Sequence, residues 1–120
     1  MTVKDALING LLETGMKAEG LRQQAIANNV ANIQTNGYRR LDVKFETVLA
    51  KAIDEHKPLD SKDLEPSLFR PNDSPINEHG SDVSLDSEVG EMVKNGLRHK
   101  AYTLLLKKRY QMMDAAMRVQ

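Results

Sequence analysis

Apolar residues recur at steps of three and four along two stretches of this chain, and the pattern breaks between them. In the first stretch Val3, Leu7, Leu11, Thr14, Ala18, Leu21 and Ala25 fall on one face of a helix. Thr2 followed by Asp5 is a capping-box start, and Asn36-Gly37 suits the positive φ at a helix end, so the spacing predicts a first helix over residues 2–34. Residues 35–56 then hold a turn and a short helix, on which Phe45, Val48, Leu49, Ala52 and Ile53 fit the i, i+3, i+4, i+7, i+8 template. In the second long stretch Val89, Val93, Leu97, Ala101, Leu104, Leu105, Met112, Ala115 and Val119 form a stripe interrupted by Lys108. Ser84 caps this arm, and Asp86 and Glu88 suit its positive end, which predicts a helix over 84–119. Each long helix would measure roughly 50 Å at 1.5 Å per residue.

All four prolines, Pro58, Pro66, Pro71 and Pro75, lie between the arms. They predict a long loop over 57–83 with at most a short extended piece at Ser67–Phe69. The expected fold is therefore all-α and forms a single domain over 1–120. Two long antiparallel helices make a coiled-coil-like hairpin, with a short third helix and a Pro-rich loop. Leu7, Leu11, Ala18, Leu21 and Ala25 should meet the stripe of the second arm along the seam. Ile8, Leu12, Ile26, Val30 and Ile33, with Met92, Leu106, Met113 and Met117, lie partly outside it. A helix contact hides only one side of each partner. Five arm glycines, Gly10, Gly15, Gly20, Gly90 and Gly96, together cost roughly 4–5 kcal/mol relative to Ala. Such helices should become stable only against copies of themselves or related partners, with Gly and Ala allowing close approach.

Composition narrows the function. The chain of 120 residues has no cysteine, which excludes a disulfide scaffold and a thiolate site. Lys, Arg, Asp or Glu interrupts every apolar run, so no stretch reaches the roughly 18 residues a spanning helix needs. The start MTVKDALINGLLETG, with Asp5, Asn9 and Glu13, lacks the pattern of a cleaved secretory signal. Seventeen basic side chains balance seventeen acidic ones, but unevenly. Residues 57–90 carry three against eight, or −5, and residues 91–120 carry seven against two, or +5. Complementary protein surfaces suit that division better than a polyanion.

The most informative segment is ANNVANIQTNGYRR, residues 27–40. Three asparagines within five helical positions oppose intrinsic propensity. Two readings account for them. Asn28 and Asn32, one turn apart, could form a polar ladder that sets register at a helix interface, or the helix ends here and the asparagines cap it. The arginines after Tyr38 could touch a neighbour or bind the last helix carbonyls.

This string resembles the signature of the bacterial flagellar rod and hook protein family, close to A-x-N-[IVL]-A-N-x-x-T-x-G-[YF]. Asn29, Val30, Ala31, Asn32, Thr35, Gly37 and Tyr38 fall on that pattern, with Asn28 beside them. Val83 to Glu88, then Met92, Asn95, Leu97, Arg98, Tyr102, Leu105 and Leu106, look like the end of proximal-rod members. Asn36 stands where many of those have Pro, and T-N-G-Y is commoner in distal-rod and hook relatives, which leaves a distal-rod protein or rod adaptor as the alternative. The resemblance implies a structural protein without cofactor or catalytic residues, exported without a cleaved signal through the flagellar type III apparatus. Its implied place is the basal-body rod on the periplasmic side of the inner membrane. Its implied partners are copies of itself, other rod proteins, the ring–rod junction and the export gate, with no nucleic acid and no membrane insertion.

The remaining chemistry is thin. His56, His79 and His99 form no HxH or HExxH pair, and Asp60, Asp63 and Glu65 lack the spacing of a calcium loop. No phosphate loop or nucleophile elbow is present. The competing function is nucleic-acid binding by the basic segment of Arg98, Lys100, Lys107, Lys108 and Arg109, against which stand Leu104, Leu105 and Leu106 in its middle.

Overall fold

The computed structural model describes residues 2–54 and 64–119, apart from the side chains of Ala52 and Ile53. His56, Pro58, Asp60 and Asp63 lie outside the described residues. In chain order the elements are α1 (Val3–Ala31), β1 (Asp42–Lys44), α2 (Glu46–Asp54), β2 (Ser67–Phe69) and α3 (Leu85–Arg118). The molecule is long and thin, 64 × 29 × 16 Å along its principal axes.

Both long helices start where the sequence places their caps. The Thr2 hydroxyl accepts the Asp5 amide at 3.1 Å, and the Asp5 carboxylate accepts the Thr2 amide at 3.1 Å, so each half of the box satisfies an otherwise unpaired donor. The hydrogen bonds from Thr2 and the nearby Arg109 guanidinium hold the Asp5 carboxyl below its ordinary range. Ser84 caps α3 through the Ser87 amide. α1 ends at Ala31, three residues short of the expected end, because Asn32 donates its side-chain amide to the Asn28 carbonyl at 2.8 Å. Gly37, at φ +83°, serves the turn beyond that cap and not the helix end itself.

Between the long helices the chain is not purely helical. β1 and β2 pair antiparallel, with Val43 opposite Leu68. The extended piece at Ser67–Phe69 is where the sequence puts it, while its partner lies in a stretch read as turn and helix. Val43 and Phe45 bury themselves against Ala18 and Ala25 of α1, with Leu21, Leu41 and Leu49 closing the cluster. The two-residue step from Val43 to Phe45 is a strand period, which puts both side chains on one face. This ribbon docks one side of α1 and anchors the return loop. Pro66, Pro71 and Pro75 all lie outside the helices.

α1 and α3 run antiparallel along a polar seam. From one end to the other, Arg109 meets Asp5 (3.0 Å) and Asn9 (2.6 Å), Asn9 meets the Met113 sulfur (3.3 Å), and Tyr110 donates to Glu13. Tyr102 packs over Gly15, where an added Cβ would lie 2.5 Å from its ring. At the centre Glu19, 1 % exposed, accepts from the Asn95 amide at 2.9 Å, the Arg98 guanidinium at 2.8 Å, and Arg22. The Asn95 amide also reaches the Glu19 carbonyl at 2.7 Å.

This seam corrects the expected one. Val89, Val93, Leu97, Ala101, Leu104, Met112 and Ala115 are exposed, while Leu106 is buried and Met113 half-buried within the seam. On α1, Ala18 and Ala25 are buried and Leu11 and Leu21 half-buried, but Leu7 is exposed. The cause is the buried charge: Glu19 requires its amide and guanidinium partners, and burying it unpaired would cost far more than leaving a leucine in water. The residues that satisfy it occupy one face of α3, so the apolar stripe turns outward.

Candidate assembly site

The motif after α1 is built around Asn29. Its side chain, 0 % exposed, holds both backbone polar groups of Leu41: the Leu41 amide donates to Asn29 Oδ1 at 2.7 Å, and Asn29 Nδ2 donates to the Leu41 carbonyl at 2.9 Å. One side chain thus replaces the partner strand that the start of β1 lacks. The Tyr38 hydroxyl lies 2.7 Å from both Asn28 Oδ1 and Asn29 Oδ1, which fastens the turn to the helix it leaves. Burial pushes the Tyr38 phenol up, keeping it a protonated donor. Thr35 donates to the Asn32 side chain at 3.1 Å. Of the remaining motif positions, Val30 and Ala31 are exposed.

A second loop locks this turn from the side. Gly37 donates its amide to the Gly80 carbonyl at 3.0 Å, and Gly80 itself sits at φ +84° with Asn36 where a Cβ would be. The Ile33 carbonyl, left over at the end of α1, accepts from the Ser81 hydroxyl at 2.6 Å and from the Asn77 amide at 3.3 Å. Arg40 ties the turn to α3: its amide reaches Asp82 at 2.5 Å, and its guanidinium reaches the buried Glu88 at 3.1 Å and Asp42 at 3.4 Å. Burial alone would pull Arg40 down, but the Glu88 and Asp42 carboxylates outweigh it and hold the guanidinium above its ordinary value. Arg39 turns back onto the Tyr38 and Gly80 carbonyls at 3.0 and 3.2 Å. Arg70 lies over the Tyr38 ring, 5.3 Å from its centre.

The capping reading of the asparagines describes Asn32, and Asn29 has a role that neither reading gave it. Asn32 caps α1 and its amide lies 3.4 Å from Asn28 Oδ1, while Asn29 is the residue that fixes register, within the chain. Sequence reasoning missed Leu41, met by Asn29 12 residues away, and Asn77, Gly80, Ser81 and Asp82, whose role depends on loops meeting across 41 to 48 residues. It also read Glu88 only as a helix-dipole partner. The acidic residue next to the Ser84 cap, in a chain with an Arg-Arg pair after the motif, is the one signal that could have suggested the ion pair.

The surface left outside the seam is chiefly the far side of α3. Val93, Leu97 and Leu104 are 58, 65 and 58 % exposed, and Gly90 and Gly96 beside them have nothing within 4 Å of an added Cβ. Arg98 and Arg109 point into the seam, which leaves Lys100, Lys107 and Lys108 as the exposed part of the basic segment. His79 lies 3.6 Å from Glu78 and His99 is exposed. No helix among the described residues is long and apolar enough to cross a membrane.

The geometry is that of a braced helical hairpin with the apolar stripe of its second long helix turned to solvent. A family model described as "Flagella basal body rod protein" matches residues 11–39, which run from Leu11 of α1 through the asparagines to Arg39. The chain is 32 % identical over 101 residues to the flagellar basal body rod protein FlgB of Borreliella burgdorferi, covering 69 % of this chain and 75 % of that protein. It is 26 % identical over 99 residues to FlgB of Bacillus subtilis, covering 75 % and 77 %. The flagellar basal-body rod protein FlgG of Buchnera aphidicola is 31 % identical over 61 residues, covering 50 % of this chain and 24 % of that protein. The chain belongs to the flagellar basal body rod protein family.

Proposed function

We propose that this protein is a structural subunit of the flagellar basal-body rod, of the proximal FlgB type, that assembles through the outward faces of its terminal helices. The carrying observation is the apolar stripe of α3 turned away from α1. Aliphatic side chains at Val93, Leu97 and Leu104 gain nothing from the monomer, and burying each against a neighbour is worth about 1.5–3 kcal/mol. The open sites at Gly90 and Gly96 let a neighbouring helix come close. The motif residues Asn28, Asn29, Asn32, Thr35, Gly37 and Tyr38 act indirectly, by holding α1, the return loop and the start of α3 in one relative position. Similarity to FlgB and FlgG supports other rod proteins as partners. Passage as an unfolded chain through the export apparatus to the periplasmic side belongs to the same proposal. Five helix-weakening glycines and a seam with few buried aliphatic groups make the hairpin easy to open.

The test is the double substitution Val93→Ser and Leu97→Ser. The monomer should melt within about 0.5 kcal/mol of the wild type, because both positions are solvated. Concentration-dependent association by sedimentation and rods in basal bodies of the complemented strain should both disappear. Normal rods and swimming in that strain would overturn the proposal.

A further inference from the structure

Arg22, Arg40, Arg98, Arg109 and Arg118 each bind a carboxylate. Among the described residues Arg39 and Arg70 are the two arginines that bind none, and both line one open cavity of about 330 Å³ beside the motif turn, with Gly37 and Tyr38. None of the described residues lining it is acidic. Both guanidiniums are placed there by the backbone around them. Arg39 donates to the Tyr38 and Gly80 carbonyls at 3.0 and 3.2 Å, and Arg70 donates to the Arg39 carbonyl while lying 5.3 Å from the centre of the Tyr38 ring. The Gly37 amide, bonded to the Gly80 carbonyl at 3.0 Å, holds the two walls together. Each of these arginine hydrogen bonds uses Nη1, one nitrogen of three in a group with five donors.

Two preplaced guanidinium forks with donors to spare fit a planar oxyanion, and holding them in position beforehand lowers the ordering cost of binding. The surroundings select the kind of anion. Residues 71–84, the loop that flanks the turn, carry three acidic side chains, Asp73, Glu78 and Asp82, and no Lys or Arg. A polyanion laid across the turn would meet those carboxylates, whereas a single side-chain carboxylate meets only the two arginines. We propose that this cavity is a receptor for one aspartate or glutamate side chain presented by a neighbouring protein, gripped by Arg39 and Arg70. The site is separate from the α3 stripe and gives the motif turn a direct contact of its own. Tyr38 serves it as the platform under Arg70.

The probe is the capped peptide acetyl-Gly-Glu-Gly-amide, compared with acetyl-Gly-Gln-Gly-amide by heteronuclear NMR of the full chain at low salt. The glutamate peptide should shift the Gly37 amide and the Arg39 and Arg70 Nε resonances, and should bind about tenfold more tightly than the glutamine peptide, because its hydrogen bonds are to a charged acceptor. Added salt should weaken it. Arg70→Gln, at an exposed position, should lose about tenfold in affinity with an unchanged circular dichroism spectrum. Arg39→Gln with Arg70→Gln should remove binding altogether, and if that double variant does not fold, Arg70→Gln alone decides. Equal affinity for the two peptides, or binding undiminished in Arg70→Gln, would overturn the receptor. Inorganic phosphate that binds the same resonances more tightly than the glutamate peptide would overturn the assignment to a carboxylate. Val93→Ser with Leu97→Ser should bind the glutamate peptide as the wild type does, so this site and the α3 stripe stand or fall separately.

Discussion

The two sides of α3 obey opposite rules. Toward α1 it presents Asn95, Arg98 and Arg109, paired with Glu19, Asn9 and Asp5, and Tyr102, packed over Gly15, while Glu88 near its start pairs with Arg40; Val89, Val93, Leu97 and Leu104 are exposed on its other side. A monomeric globule would reverse this, because aliphatic burial is non-directional and favourable, whereas each buried charge costs several kcal/mol unless paired. The difference teaches that directional polar contacts, not aliphatic burial, set how the two arms of the hairpin meet. Buried ionic groups fix one arrangement of the two arms, and the stripe takes no part in it.

That contrast can be broken most strongly at Glu19. Glu19→Ala leaves Arg22, Arg98 and Asn95 facing a buried gap, and monomer stability should fall by about 3–5 kcal/mol in urea unfolding. A loss below about 1 kcal/mol would mean that the seam is wetter than its geometry implies. Asn29→Ala comes next. Freeing the Leu41 amide and carbonyl should cost about 1–3 kcal/mol and speed amide exchange in β1 while the centre of α3 stays protected. The smallest effect sharpens the outer side: Gly96→Ala meets no atom within 4 Å, so the isolated hairpin should gain about 0.5–1 kcal/mol. Assembly should gain nothing or weaken. A variant that both melts higher and polymerises better would show that no helix packs at that glycine.

Much of the scaffold was legible in the sequence because its signals are local. The Thr2–Asp5 box, the Ser84 cap and the extended Ser67–Phe69 each depend on residues within one turn or one strand. The direction of the stripe was not legible, since Val93 and Leu97 look like core by type, and Glu19 and Asn95 look like surface. Only the partner 76 residues away shows that the polar residues win. Asn29 was singled out by its poor helix propensity, yet its partner, the Leu41 backbone, leaves no mark on sequence because any residue supplies an amide and a carbonyl. The strand Asp42–Lys44 was masked by the helical pattern that begins at Phe45.

The ladder of charged and amide contacts from Asp5 to Glu88 also bears on what happens when the molecule is twisted. Greasy helices can slide past one another in small increments, because a leucine accepts almost any apolar neighbour. Here slippage by one turn would strand Glu19, Arg98 and Arg109 away from their mates simultaneously. The two arms consequently possess a single setting, and a twisting force on the pair is resisted by all of these contacts together.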